Sequence, residues 1–285
     1  MNHTTDRDLF PRRLTLSVSA LLAVLGLAVL AILVAGLAPL LGGPSALSNV
    51  MSAVWDPLSG RYGLMPFLLG SLVVSGLALT LAVPFSLGVA VMVARGLAVK
   101  LAAPIVRVLA VLAAIPSVVF GWWGLLMVVP IIRHIFGGPG FSLLAAALVL
   151  AVMLLPTLSL LFYHALSAVP RAYQEGSDAL GATPDQTLWR LVLPCALPGL
   201  VQALLVAAAR AVGETMAVQM VIGGQTAMPS GLVSPGATVT SQLLTDLTVF
   251  PPGTRGHGVI DLMAMLLMVG MYLLVRASER WGLGR

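Results

Sequence analysis

The sequence predicts an all-α integral membrane protein with about six transmembrane helices. Composition is the first observation behind this: of 285 residues, 59% are hydrophobic and only 9% are charged. Soluble domains carry about a quarter of charged residues. The second is distribution. The apolar residues gather in long runs, each near the ~20 residues that a spanning helix needs. The third is the placement of the basic residues, which sit at the ends of those runs. The 29 glycines and 19 prolines fit the same class, because helices in lipid tolerate both better than helices in water.

The chain divides into a polar segment, 1–13, a first span, 14–41, and a core, 66–278, that carries five more spans and a polar loop, 164–195. The polar segment holds Arg7, Arg12 and Arg13. No charge appears from Leu14 to Leu41. That run is too long for the apolar core of a secretory signal and is followed by no clear small-x-small cleavage pattern, so it reads as an uncleaved first span. Gly42 to Met65 is a loop with Pro44, Asn49, Asp56, Pro57, Gly60 and Gly63. Its piece WDPLSGRYGLMP, Trp55 to Pro66, mixes turn formers with interfacial aromatics. It reads equally as a polar connector or as a surface that meets a partner at the membrane edge.

Phe67 to Ala94 is the second span, with Pro84 inside it. Arg95, Lys100 and Arg107 mark a basic turn. Val108 to Ile132 is the third span, containing Ala114-Ile115-Pro116-Ser117 and Gly121-Trp122-Trp123-Gly124. Pro116 frees the carbonyl of Leu112 from its helix bond, so the span is expected to break against protein or a watery path, or to kink against a neighbour. Arg133 to Gly140 is a turn. Phe141 to Tyr163, Ala196 to Ile222 and Val259 to Val275 are the fourth, fifth and sixth spans. A Gly/Pro/Ser/Thr-rich connection, Gly223 to His257, joins the last two.

With the N-terminus inside, eleven of the fifteen basic residues fall on inner segments. They are Arg7, Arg12, Arg13, Arg95, Lys100, Arg107, Arg171, Arg190, Arg276, Arg280 and Arg285. Arg61, Arg133 and Arg255 fall outside. This bias orients both termini and the 164–195 loop to the cytoplasm. The net charge of +5 is scattered over helix ends, which speaks for membrane orientation rather than nucleic-acid binding. The single cysteine, Cys195, allows no internal disulfide. His3, His134, His164 and His257 form no metal-ligand spacing. The only lysine, Lys100, follows Val99, so no phosphate-binding loop for ATP is possible.

The longest densely polar run, Pro170 to Pro194, reads as two short helices. Pro170 opens the first and Gly181 stops it. Thr183, Pro184 and Gln186 have the spacing of a capping box for the second, which Pro194 bounds. On the first helix Ala172, Gly176, Ala179 and Leu180 make a small apolar face, opposite the wet Glu175, Asp178 and Asp185. An apolar knob held in water is a docking surface more often than a core. By themselves these residues also describe an ordinary, well-capped interhelical loop. The spacing Glu175-Gly176-Ser177, Gly181, Leu191-x-Leu193-Pro194 resembles the cytoplasmic loop of ABC-importer permeases, with Gly-Ser where that loop usually has Ala-Ala. The resemblance implies type I permease architecture. It also implies a coupling helix, carried here by Glu175, Gly176, Gly181, Leu193 and Pro194, that docks on a separate ATPase.

Arg210 and Glu214 are charged residues inside the fifth predicted span. Four residues apart, they are expected on one helix face. Each costs roughly 2.5–3.5 kcal/mol at mid-bilayer on insertion scales. They read as a self-neutralising pair, or as a marker of a substrate path. The surrounding run, AARAVGETMAVQMVIGG, together with WDPLSGRYGLMP and AAIPSVVFGWWG, resembles the C-type permeases of phosphate-specific ABC importers. Ala110 departs from that pattern, which often has an acidic residue there. The resemblance implies a second homologous permease, a cytoplasmic ATPase dimer that binds ATP and Mg, and an extracytoplasmic phosphate-binding protein, in a bacterial inner membrane. Arg210 would then be held by Glu214 when the path is empty and shift to the anion in transit. Sulfate, molybdate or phosphonate importers of the same architecture are the near alternative. An intramembrane hydrolase on Ser117 and His164 is the distant one, and its catalytic spacing is missing.

Overall fold

The computed structural model describes residues 5–42, 48–94 and 99–282. His3, Pro44, Arg95 and Arg285 lie outside the described residues, as do the side chains of Arg7, Arg12, Arg13 and Lys100. Among the described residues the longer helices and a small hairpin follow one another. They are α1 (Thr5–Leu37), β1 (Trp55–Asp56), β2 (Arg61–Tyr62), α2 (Met65–Ala94), α3 (Val99–Ala113) and α4 (Ser117–Phe136). Then come α5 (Leu143–Ser167), α6 (Arg171–Ala179), α7 (Pro184–Gly213), α8 (Met216–Ile222), α9 (Val239–Asp246) and α10 (Arg255–Gly282). Six of these, α1, α2, α4, α5, α7 and α10, contain stretches long and apolar enough to cross a membrane.

α5 is the hub. Its span is 67% buried, against 6% for the span of α1. The reason is composition. Ala145, Ala146, Ala147 and Ala151 let neighbours approach closely, and Val149, Leu150, Leu154 and Leu158 fill the gaps. In lipid, where tails are as apolar as leucine, close packing of small residues is what associates helices. α2, α3, α7 and α8 all pack on α5. α1 lies outside, against α10, with Leu21, Leu22, Leu25 and Leu30 exposed as lipid-facing residues are.

Two glycines explain the GWWG motif. A side chain at Gly124 would strike Val149 of α5, and one at Gly121 would strike Met220 and Ala217 of α8. The tryptophans between them point outward, Trp122 57% exposed and Trp123 40%.

Proline acts differently from expectation at two places, Pro170 and Pro194. The third span breaks at Pro116, one of the two outcomes expected there, so it does not run continuously from Val108 to Ile132. α3 ends at Ala113, and Pro116 stands just before α4 in an extended conformation, φ −57°, ψ 138°. The Leu112 carbonyl is not orphaned, because the Ile115 N–H donates to it at 3.3 Å. Pro170 likewise precedes α6 rather than opening it, at φ −58°, ψ 133°. Pro194 does not bound a helix at all. A π turn over Leu188–Val192, closed by the Leu193 N–H on the Leu188 carbonyl, carries the helix past it. The same device, Gly124–Val128, precedes Pro130 in α4. Widening the ladder by one residue relieves the collision between a proline ring and the carbonyl four residues back.

The WDPLSGRYGLMP stretch holds the hairpin β1–β2, with Trp55 opposite Tyr62. Trp55 packs edge-on against Tyr62 and Phe67, and Tyr62 against Phe250. The Ser59 hydroxyl donates to the exposed Asp56 carboxylate and holds it below the ordinary carboxylate range. The Gly223 to His257 connection is more ordered than its composition suggests. Its residues 231–236 close the N-terminus of α5, where the Leu143 and Leu144 N–H groups donate to the Ser234 and Leu232 carbonyls.

Candidate functional site

The polar loop is two capped helices. α6 ends in a Schellman motif: the Ala182 N–H donates to the Ser177 carbonyl and the Gly181 N–H to that of Asp178. This needs Gly181 at φ +78°, a conformation glycine enters without strain. Thr183 and Gln186 form the expected capping box, side chain to backbone in both directions. The Ser177 and Thr187 hydroxyls meet at 2.8 Å and clamp α6 onto the start of α7. Glu175, Gly176 and Gly181 are exposed, as are Ala172, Ala179 and Leu180, the last 90%. No residue of α6 is buried. Leu193 is half-buried and Pro194 exposed, both within α7 beyond the π turn.

α7 joins this loop to the membrane interior. It runs without a break from Pro184 through Pro194 and Arg210 to Gly213. At about 1.5 Å per residue, Pro184 to Arg210 spans ~39 Å. The helix then stops. Glu214 is extended, φ −69°, ψ 128°, and α8 starts at Met216. Glu214 is therefore off the helix that carries Arg210, and the expectation that both share one face fails. Its carboxylate accepts from the Ala217 N–H at 3.1 Å, capping α8, and the Thr240 hydroxyl donates to its carbonyl at 2.9 Å. Arg210 is exposed and makes no ion pair with it; among the described residues the ion pair seen is Arg276–Glu279, 3.2 Å.

α9 was not visible in the sequence. Thr238 and Ser241 form a capping box, and the Val239 N–H donates to the Ser71 hydroxyl of α2 at 2.9 Å. Val239, Thr240, Ser241, Gln242 and Asp246 are buried. The Gln242 amide donates to the Asp246 carboxylate at 2.8 Å. Burial pushes the Asp246 carboxyl above its ordinary value, and the Gln242 bond offsets this only in part. Thr245 accepts from the Gln219 amide of α8 at 3.4 Å, so α8 and α9 share a polar seam beside the break. The signal available in the sequence was the Gln242–Asp246 spacing of four. Asp261, half-buried in α10 and inside the sixth predicted span, was also missed.

Residues 82–281 match the family model described as "Binding-protein-dependent transport system inner membrane component". The chain is 34% identical over 239 residues to the "Probable ABC transporter permease protein YqgH" of Bacillus subtilis, covering 83% of this chain and 77% of that one. It is 31% identical over 248 residues to the "Phosphate transport system permease protein PstC" of Haemophilus influenzae, covering 80% and 78%. It is 34% identical over 250 residues to "PstC 1" of Mycobacterium tuberculosis, covering 78% and 74%. Among solved structures, an inward-facing conformation of the MetNI methionine ABC transporter has a similar fold, with TM-score 0.59 and 24% identity over 80% of this chain and 97% of that one.

Proposed function

Because this chain belongs to the family of binding-protein-dependent transport system inner membrane components, we propose that it forms half of the translocation path of an ATP-driven importer of inorganic phosphate. It is a multi-pass membrane transport subunit and not an enzyme. Relatives named as phosphate transport permeases support the cargo. The observation that carries the path is Arg210, exposed and unpaired one turn before a helix break inside a span. A guanidinium presents fixed donors to phosphate oxygens and keeps its charge.

The partners are a second homologous permease, a cytoplasmic ATPase dimer that holds ATP and Mg, and an extracytoplasmic phosphate-binding protein. The chain lies in a bacterial inner membrane with both termini in the cytoplasm. The ATPase grips the exposed face of α6. α7 is the lever: its capped end is clamped to α6, and Arg210 rides ~39 Å further along the same helix. Glu214 sits across the break, held by α8 and by Thr240. Movement of the lever thus changes the distance between Arg210 and Glu214. In the state described here Arg210 is free to meet an anion; in the opposite state Glu214 takes it and discharges the cargo. Bound ATP must favour one state by differential contacts, or nothing moves.

The test is labelled-phosphate uptake by the assembled transporter, with sulfate and molybdate as competitors. Arg210→Gln should lower uptake about 10- to 150-fold, the ratio for ~1.5–3 kcal/mol of a hydrogen bond to a charged group. Near-normal uptake by both Arg210→Gln and Glu214→Gln would remove the gate. Competition by sulfate or molybdate at phosphate-like concentrations would remove the cargo assignment.

A further inference from the structure

Pro198, Gln202, Val206 and Arg210 recur every fourth residue on α7 and so share one face. On the cytoplasmic side of Arg210 that face lines a half-open groove of about 350 Å³, flanked by residues of α5 and the end of α10. Three polar side chains line it: the exposed His164 imidazole, the half-buried Gln202 amide and the exposed Trp281 indole. None of them has a hydrogen-bond partner among the described residues. All three can donate, and the indole can only donate. Among the described residues no Asp, Glu, Lys or Arg lines the cavity. His164 stands six residues before Pro170, where the exposed loop begins. Gln202 lies eight residues, or ~12 Å, below Arg210 along the helix.

We infer that this cavity is a second oxyanion station, taking the phosphate group after Arg210 and before release. The inference rests on the cargo and orientation proposed above. Unpartnered N–H donors meet the oxygens of a tetrahedral oxyanion without a carboxylate among the described lining residues to repel it. With no Lys or Arg among the described lining residues the hold is weak, which a site that must empty requires. The same donors fit a phosphodiester. The ligand chemistry is therefore a phosphate group, supplied by the anion in transit or by an inner-leaflet lipid headgroup.

The experiment uses the assembled transporter in vesicles of phosphate-free glycolipid. The signal is the tryptophan fluorescence that Trp281→Phe removes. Titration with inorganic phosphate should change that signal saturably. His164→Phe with Gln202→Leu should weaken the apparent affinity about tenfold or more. Gln202→Glu, nearly the same size, should abolish the response by placing a carboxylate in the cavity. If phosphatidylglycerol added to the vesicles moves the signal and free phosphate does not, the station stands as a lipid site and its place in the transport path falls. If neither moves it, the station is overturned. Uptake by the unaltered transporter is measured alongside. A silent Trp281 with active phosphate uptake sinks the station alone, whereas absent phosphate uptake sinks the cargo assignment.

Discussion

Two short polar helices join spans of this molecule, and their surroundings are opposite. α6, of nine residues, buries none. α9, of eight, buries Val239, Thr240, Ser241, Gln242 and Asp246. A threonine capping box lies beside each, Thr183 with Gln186 opening α7 just after α6 and Thr238 with Ser241 opening α9 itself. Both connections are thus punctuated by the same local device. The difference comes from what each lies against: α6 touches chiefly the start of α7, whereas α9 is pressed on α2 and α10. Caps and turns therefore specify that a helix forms, and only tertiary neighbours decide whether its polar face docks a partner or seals an interior.

The largest test of that contrast lies on the open side. Nothing approaches within 4 Å of a side chain placed at Gly176. Gly176→Trp should therefore leave the fold intact and obstruct only what docks from outside. Uptake should fall about 30-fold or more, the ratio for ~2 kcal/mol at an interface hot spot, while the variant still reaches the membrane. Gly181→Asp probes the same surface less cleanly, because φ +78° strains any side chain there. Uptake by Gly176→Trp equal to that of the unaltered protein would show that α6 is not gripped.

A smaller effect, and a sharper contrast, comes from making one substitution on each side. A methyl at Gly70 of α2 would collide with the Ala237 carbonyl just before α9, and backbone cannot step aside. Gly70→Ala should destabilise the protein by about 1–3 kcal/mol. Gly176→Ala should be neutral or stabilising by up to about 1 kcal/mol, since alanine suits a helix interior better than glycine. Thermal unfolding in detergent measures both. A neutral Gly70→Ala would mean that α9 is not seated as described.

The fold was legible where the solvent dictates it. Runs such as Leu14 to Leu41 have to be helices in lipid, and the caps at Gly181 and Thr183 are strictly local. Proline was less legible. Pro116 and Pro194 look alike in sequence, yet one separates two helices and the other is absorbed by a π turn. Which outcome occurs depends on neighbours that hold the chain on either side. Arg210 was found because charge in lipid is conspicuous. Its relation to Glu214 was misread, since nothing in AVGET announces that the helix ends at Gly213. Asp246 was hidden because a carboxylate in a Gly/Pro-rich connection is expected to be wet. Only Gln242, Thr245 and Gln219 folding over one another make it otherwise.

Asp246 also gives the most delicate test of the buried side. Its carboxyl is held above its ordinary value of 3.8, chiefly by burial. Above that pH the unfolded chain has released a proton that the folded chain keeps, so the folded state binds more protons. Stability from this group is thus fullest below 3.8 and declines as pH rises through the folded value. Asp246→Asn keeps an oxygen for the Gln242 amide and cannot ionise. It should melt higher than the unaltered protein at neutral pH, with a margin that widens as pH rises above 3.8 and levels off beyond the folded value. Glu175→Gln on exposed α6 is the matching control and should shift stability by no more than about 0.5 kcal/mol. A margin for Asp246→Asn that stays flat with pH would mean water reaches that carboxylate. α9 would then be a second exposed helix, and its contrast with α6 would fail at the residue that defines it.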